Sequence, residues 1–169
     1  MSTESNLQML QGQDGLSSLT APIFQQLIWD YYKDHGRLFP WRQTDDPYHI
    51  LVSEIMLQQT QTSRVLKKYE SFISTFPDFQ TLAESPLINV LKAWQGLGYN
   101  RRAVALHKIA QIVVADCEGE LPSSEKVLVK LPGIGPYTAS AIKAIAFNQP
   151  AVLIETNIRT VYIFFFFPD

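Results

Sequence analysis

The sequence predicts an all-α fold, and three observations carry that reading. Apolar residues recur at the i, i+3, i+4, i+7 spacing of a buried helical face, as in Phe24, Leu27, Ile28 and Tyr31. Glycine and proline punctuate these runs at helical lengths, at Gly36, at Phe76-Pro77 and at Leu131-Pro132-Gly133-Ile134-Gly135. The one extended run, Val152-Leu153-Ile154, is too short to argue for a sheet.

In chain order, residues 1–19 are rich in Ser, Gln and Gly with scattered leucines and read as a mobile tail. Thr20, followed by Pro22, starts a helix that Gly36 stops. Arg37 to Arg42 reads as a loop whose aromatics pack into the core or stack on a base, the core being the plainer choice. Pro47 then opens a helix over Tyr48–Gln61 (YHILVSEIMLQQTQ). Its apolar residues cover most of the circumference, so the helix should be largely buried. Glu54, Gln58 and Gln61 stand at i, i+4, i+7 on one stripe of it. A carboxylate in such surroundings is costly unless it is protonated, hydrogen-bonded or functional.

A further helix covers 62–75, with Val65, Tyr69, Phe72 and Ile73 inward, and short helices cover 79–84 and 86–94. Gly96 and Gly98 make a turn that exposes Tyr99, either a wedge for DNA or a lid on the core. Residues 101–116 form a helix through Leu106, Ile109, Ala110 and Val113. Arg101 and Arg102 sit at its start, where the helix dipole disfavours cations unless an anion is near. Ser123 or Ser124 can cap a short helix over 125–130 that leads into the glycine hairpin. An alanine-rich helix over 136–147 follows, and Thr156 or Asn157 caps a last helix with the face Ile158, Val161, Tyr162 and Phe165.

The hairpin organises the rest. Two glycines one residue apart can take backbone angles that other residues resist. Free N–H groups at the start of the following helix make a natural phosphate cradle. Glu155 then places an acid at a fixed distance beyond it.

The 169 residues suffice for one sizeable domain or two small lobes. The net charge of −2 excludes a strongly basic nucleic-acid footprint. Lys and Arg number 6 against 10 Asp and Glu up to Leu91, and 8 against 6 beyond it. One cysteine, Cys117, excludes an internal disulfide and a cysteine-built metal site within these residues. No run is long enough to span a membrane and the N-terminus lacks a secretory pattern, so a reducing, cytoplasmic setting is expected. The greasy run Ile163–Phe167 stops at Pro168-Asp169 with nothing left to cover it, which reads as a fragment cut inside its fold.

With these residues placed, the chain resembles the helix-hairpin-helix DNA glycosylases, and most closely their MutY-type, adenine-specific branch. The likeness runs from about residue 22 to 165 through FPWRQTDDPY, SEIMLQQTQ, WQGLGY, LHKIA and LPGIGPYTASAI. The resemblance implies an all-α multi-helix bundle with the active site between two helical lobes, and a glycosylase domain over 20–169, incomplete at its C-terminus. It implies that Glu54 protonates the departing adenine and later activates water, and that Glu155 stabilises the sugar cation. Tyr137 stands where strand-cutting relatives carry a lysine, which implies a monofunctional enzyme; a partly buried core tyrosine is the structural reading of the same residue.

By the same resemblance Gln59 and Tyr99 are wedge candidates and Gln58 lines the pocket. Gly133 and Gly135 present N–H groups to a phosphate, and Asn157 joins the DNA contacts. The implied partner is double-stranded DNA carrying adenine opposite 8-oxoguanine or guanine, met by a monomer in the bacterial nucleoid. A four-iron four-sulfur cluster is implied with cysteines beyond Asp169, as is a further domain that reads 8-oxoguanine. The pattern departs at Glu155-Thr156-Asn157, where the family usually reads Asp-Gly-Asn. Removal of another mispaired base such as thymine or uracil, and DNA binding without catalysis, are the alternatives.

Overall fold

The structure, a computed structural model, describes residues 20–167. The expected tail over 1–19 lies outside the described residues. Every regular element among the described residues is helical, as the apolar spacing predicts. The chain divides into two compact units: one whose described residues are 20–38 and 154–167, and Phe39–Leu153.

The first unit holds α1 (Thr20–His35) and, from the far end of the chain, α9 (Thr156–Phe166). Phe24 joins them, its ring centroid 5.5, 5.3 and 5.0 Å from those of Tyr162, Phe165 and Phe166. These are the separations of favourable edge and tilted aromatic pairs. The buried faces expected of both helices are only partly realised. Leu27 is buried, but Ile28 and Tyr31 are exposed, and α9 has no fully buried residue.

The second unit begins with a 3-10 turn, Pro40–Arg42, and continues through α2 (Pro47–Leu57), α3 (Thr62–Thr75), α4 (Phe79–Glu84), α5 (Leu87–Trp94), α6 (Arg101–Asp116), α7 (Glu125–Leu128) and α8 (Pro136–Ala146). Phe39 and Trp41 are stacked at 4.8 Å and buried, so the loop aromatics belong to the core. α2 runs through the middle, packed against α3, α6 and α8, with Ile50, Leu51, Val52, Ile55 and Met56 essentially inaccessible. Burying such side chains contributes about 1.5–3 kcal/mol each before conformational costs. Leu106, Ile109, Ala110 and Val113 present the predicted face of α6 to the same core. Ser124 stands at the N-cap of α7, but its side chain makes no capping bond.

Candidate active site

The sequence Asp46-Pro47-Tyr48 starts α2 by two means. Proline at the first helical position is pre-set to helical φ and has no N–H to waste. The Asp46 carboxylate accepts from the Tyr48 and His49 N–H groups at 2.8 and 3.3 Å. Two turns later the helix carries Glu54 between the buried Ser53 and Ile55. Ser53 satisfies its hydroxyl locally by donating to the Ile50 carbonyl. Glu54 is half-buried, and among the described residues its carboxylate accepts no hydrogen bond. Burial therefore pushes its pKa up from 4.5 to about 7, against the pull of the nearby Arg42 guanidinium. A carboxylic acid of that strength holds or releases a proton near neutral pH, which is what general acid–base work requires.

α2 ends at Leu57, not at Gln61, so the expected stripe of Glu54, Gln58 and Gln61 does not exist. Gln58 is the C-cap, Gln59 takes the left-handed φ of 55°, and Gln61 becomes the N-cap position of α3. A left-handed residue just past a C-cap reverses the chain and is usually glycine. Released from the helix, the Gln58 amide donates to the Gly133 carbonyl at 3.1 Å and to Thr138 Oγ1 at 3.3 Å. The glutamine turn is thereby tied to the glycine hairpin.

A third turn, Gln95 to Asn100, brings Tyr99 alongside. Tyr99 has φ 48° and is 56 % exposed, so it is not a lid on the core. The two arginines that follow have separate fates. Arg101 is exposed, while Arg102 is buried and donates to six oxygens. Its Nη1 reaches the carbonyls of Ile55, Met56 and Gln58 at 3.0, 2.8 and 2.5 Å. Its Nη2 reaches Thr60 Oγ1 at 2.8 Å and the carbonyls of Leu97 and Gly98 at 3.1 Å each. No anion is needed to explain this cation: the open carbonyls at the C-terminal end of α2 are its counterpart. Sequence reasoning missed that role, although Arg102 precedes Leu106, Ile109 and Val113 on the buried spacing of α6.

The hairpin's two glycines differ in kind. Gly133 has φ 78°, and a Cβ there would stand 3.1 Å from that of Ala105. Gly135 has an ordinary φ of −89° and is the N-cap of α8, with nothing within 4 Å of a Cβ placed on it. The expectation that both need unusual angles holds for Gly133 alone. Among the described residues neither glycine's N–H donates an internal hydrogen bond, which leaves both available to an anion.

These pieces meet. A cleft of about 340 Å³ is lined by Gln58, Gln59, Tyr99, Arg101, Arg102, Gly135 and Thr138. A neighbouring one of about 390 Å³ is lined by Ile55, Gln58, Arg101, Arg102, Ala105 and Gly133. Tyr137, on the first turn of α8, is 46 % exposed. Glu155 and Asn157 belong to the other unit. There Glu155 itself caps α9, accepting from the Ile158 N–H at 3.0 Å and from Asn157 Nδ2 at 3.3 Å. This displaces Thr156 and Asn157 from the capping position expected of them. The longer acid meets the N–H of the third helical residue, as a shorter aspartate at an N-cap commonly does.

An iron–sulfur cluster of the implied kind needs four thiolates, and the chain has one cysteine. Among the described residues no three His, Cys, Asp or Glu side chains are grouped to hold a metal. The residues present do not fit that cofactor. No described helix is long and apolar enough to cross a membrane.

The chain is similar to known DNA repair proteins. The model of the HhH-GPD superfamily of base excision DNA repair proteins matches residues 52–168. An adenine DNA glycosylase of Buchnera aphidicola subsp. Baizongia pistaciae is 42% identical over 146 residues, 86% of this chain and 42% of the relative. A thymine/uracil-DNA glycosylase of Methanothermobacter thermautotrophicus is 32% identical over 145 residues, 85% of this chain and 66% of the relative. The chain thus spans under half the length of the adenine-specific relative. Among solved structures, a thermostable thymine-DNA glycosylase superposes with a TM-score of 0.78 at 33% identity, over 83% of this chain and 65% of that one. An endonuclease III caught in a covalent DNA complex gives a TM-score of 0.74 at 20% identity, over 88% and 68%, and supports the fold alone.

Proposed function

The chain belongs to the HhH-GPD superfamily of base excision DNA repair proteins, and from that premise we propose that it is the catalytic part of a monofunctional adenine DNA glycosylase. The observation that carries the proposal is Glu54: an acid whose pKa burial raises to about 7, on the helix whose C-terminal turn lines the cleft beside the hairpin. The adenine-specific relative, at 42% identity, supports adenine as the excised base, opposite 8-oxoguanine or guanine. Residues 20–169 are then the glycosylase domain, acting as a monomer on double-stranded DNA in the bacterial nucleoid.

In this reading the hairpin N–H groups of Gly133 and Gly135 hold a phosphate, with register fixed by backbone contacts. Gln59 and Tyr99 fill the gap as the target nucleotide leaves the stack, and Gln58 lines the pocket. Glu54 delivers its proton to the adenine ring. The C1′–N9 bond then breaks with its electron pair on the base, and adenine departs neutral. The sugar is left as an oxocarbenium ion, which the Glu155 carboxylate stabilises, with Asn157 holding that carboxylate in place. Water adds at C1′, and the Glu54 carboxylate takes the proton that water sheds, restoring the acid. An acid and a carboxylate in opposed environments are the usual division in glycoside cleavage. Tyr137 offers no amine for a Schiff base, so the strand stays intact. No step is assigned to an iron–sulfur cluster.

The test is a panel of duplexes given to the protein. Adenine release from A·8-oxoguanine without strand scission is expected. Release of thymine or uracil instead would reassign the base, a reading that the thymine/uracil-specific relative favours. Binding with no base release from any duplex would make it a DNA-binding module.

A further inference from the structure

We propose that Arg102 is a positioning residue for base extrusion: its guanidinium locks the Gln59 turn to the Tyr99 turn, so that the two wedge candidates act as one preset unit. The inference rests on the glycosylase reading and goes beyond it by assigning a role to a residue that touches neither base nor phosphate in that scheme.

Three facts carry it. The first is where the bonds go. Nη1 holds the main chain on one side of Gln59, at the Gln58 carbonyl, and Nη2 holds the other side, at Thr60 Oγ1. Nη2 also holds the two carbonyls that immediately precede Tyr99, those of Leu97 and Gly98. The second is backbone conformation. Gln59 and Tyr99 both stand at positive φ, 55° and 48°, which costs a side-chain-bearing residue on the order of 1–2 kcal/mol. Such angles persist where surrounding bonds over-determine them. The third is convergence: both side chains line one cleft, together with Arg102.

The guanidinium suits this task as an ammonium does not. A planar fork can serve two turns at once, whereas a lysine presents its donors from one point. Six acceptors exceed the hydrogens on the two Nη atoms, so some bonds are shared, while Nε has no partner. The guanidinium carbon also lies 5.6 Å from the ring centroids of both Trp94 and Tyr99. Trp94 secures the same turn by donating from its indole nitrogen to the Gly98 carbonyl at 3.1 Å. Extrusion needs its replacement wedge in place as the base departs, and a preset wedge avoids ordering two loops at that moment.

The experiment compares wild type with Arg102→Lys and Thr60→Val on two substrates. One is a fully paired A·8-oxoguanine duplex; in the other the target adenine lies in an unpaired loop. Extrusion is read separately from a duplex carrying the fluorescent analogue 2-aminopurine in place of adenine. Arg102→Lys should lower single-turnover release from the paired duplex by about 10–100-fold, the scale of a small misplacement. It should also weaken the extrusion signal, and lower release from the loop by a clearly smaller factor. Thr60→Val, which removes one shared acceptor, should shift all three readings the same way but less. Equal loss on both substrates, or no loss on either, overturns the proposal. If Arg102→Lys fails to fold, Thr60→Val decides. If wild type releases no base from either substrate, the glycosylase reading fails, and the extrusion signal still decides the role of Arg102.

Discussion

The side-chain amide of Gln58 donates to the Gly133 carbonyl across 3.1 Å, joining turns that lie 75 residues apart in the chain. With its second bond, to Thr138 Oγ1, Gln58 holds the glycine hairpin against the end of the helix that carries Glu54. Gln58→Ala removes both bonds. At about 1 kcal/mol for each net hydrogen bond, stability should fall by about 2 kcal/mol, seen as a lower Tm, and duplex affinity should fall with it. Fluorescence anisotropy against a labelled duplex, with thermal unfolding alongside, measures the two effects.

The proton on Glu54 sets the pH dependence. With a pKa raised to about 7, the acid form predominates below neutrality and is lost as pH rises through that value. The kcat/KM of base release should therefore have an alkaline limb near pH 7. Arg42 is the charge that opposes the rise. Arg42→Ala should move the limb to higher pH, and a limb that stays fixed or moves down would show that Arg42 does not act on this proton.

The same acid destabilises the fold at neutral pH. Below 4.5 Glu54 is protonated in folded and unfolded chains alike, and no difference arises. Between 4.5 and about 7 the unfolded chain ionises first, so stability declines as pH rises, and above 7 the deficit is constant. At 1.36 kcal/mol per unit the deficit is up to about 3 kcal/mol. Glu54→Gln, which never ionises, should exceed wild type in stability by on the order of 1–3 kcal/mol at pH 8 and match it at pH 4. Denaturant unfolding at the two pH values measures the difference.

The two hairpin glycines should fail in different ways. Gly133→Ala meets the Ala105 side chain and a φ of 78°, and should lower stability by about 1–2 kcal/mol. Gly135→Ala meets nothing in the folded chain, so stability should stay within about 0.5 kcal/mol. Duplex affinity should nevertheless fall for Gly135→Ala, because in the proposed reading its methyl group stands where a phosphate approaches. A Gly135→Ala protein with full affinity would place the phosphate elsewhere.

What was legible in the sequence followed from local rules. Helix faces from Phe24 to Val113, the stop at Gly36 and the turn at Gly96–Gly98 come from spacing and from backbone preferences. Glu54 stood out because a carboxylate amid Ile50, Leu51, Val52, Ile55 and Met56 demands a reason. What was missed depends on contacts distant in sequence. α2 stops at Leu57 because Arg102, 44 to 47 positions on, supplies its terminal carbonyls with donors; no residue near Gln58 announces a helix end. Arg102 looked misplaced at the start of α6 because its acceptors belong to two other turns. The resemblance gives Glu155 only as the carboxylate that stabilises the sugar cation, although an acid one residue before a helix can also be its cap. The exposed apolar side chains of α1 and α9 departed from the spacing rule, which identifies a face without showing what covers it.

In the proposed reaction Glu54 is the proton donor in base release. Single-turnover adenine release from an A·8-oxoguanine duplex, by the protein and by its Glu54→Gln variant, tests it. Rapid release by the unmutated protein and a loss of about 10²–10⁴-fold in the variant are expected, with duplex affinity retained. Equal rates from the two proteins would contradict it.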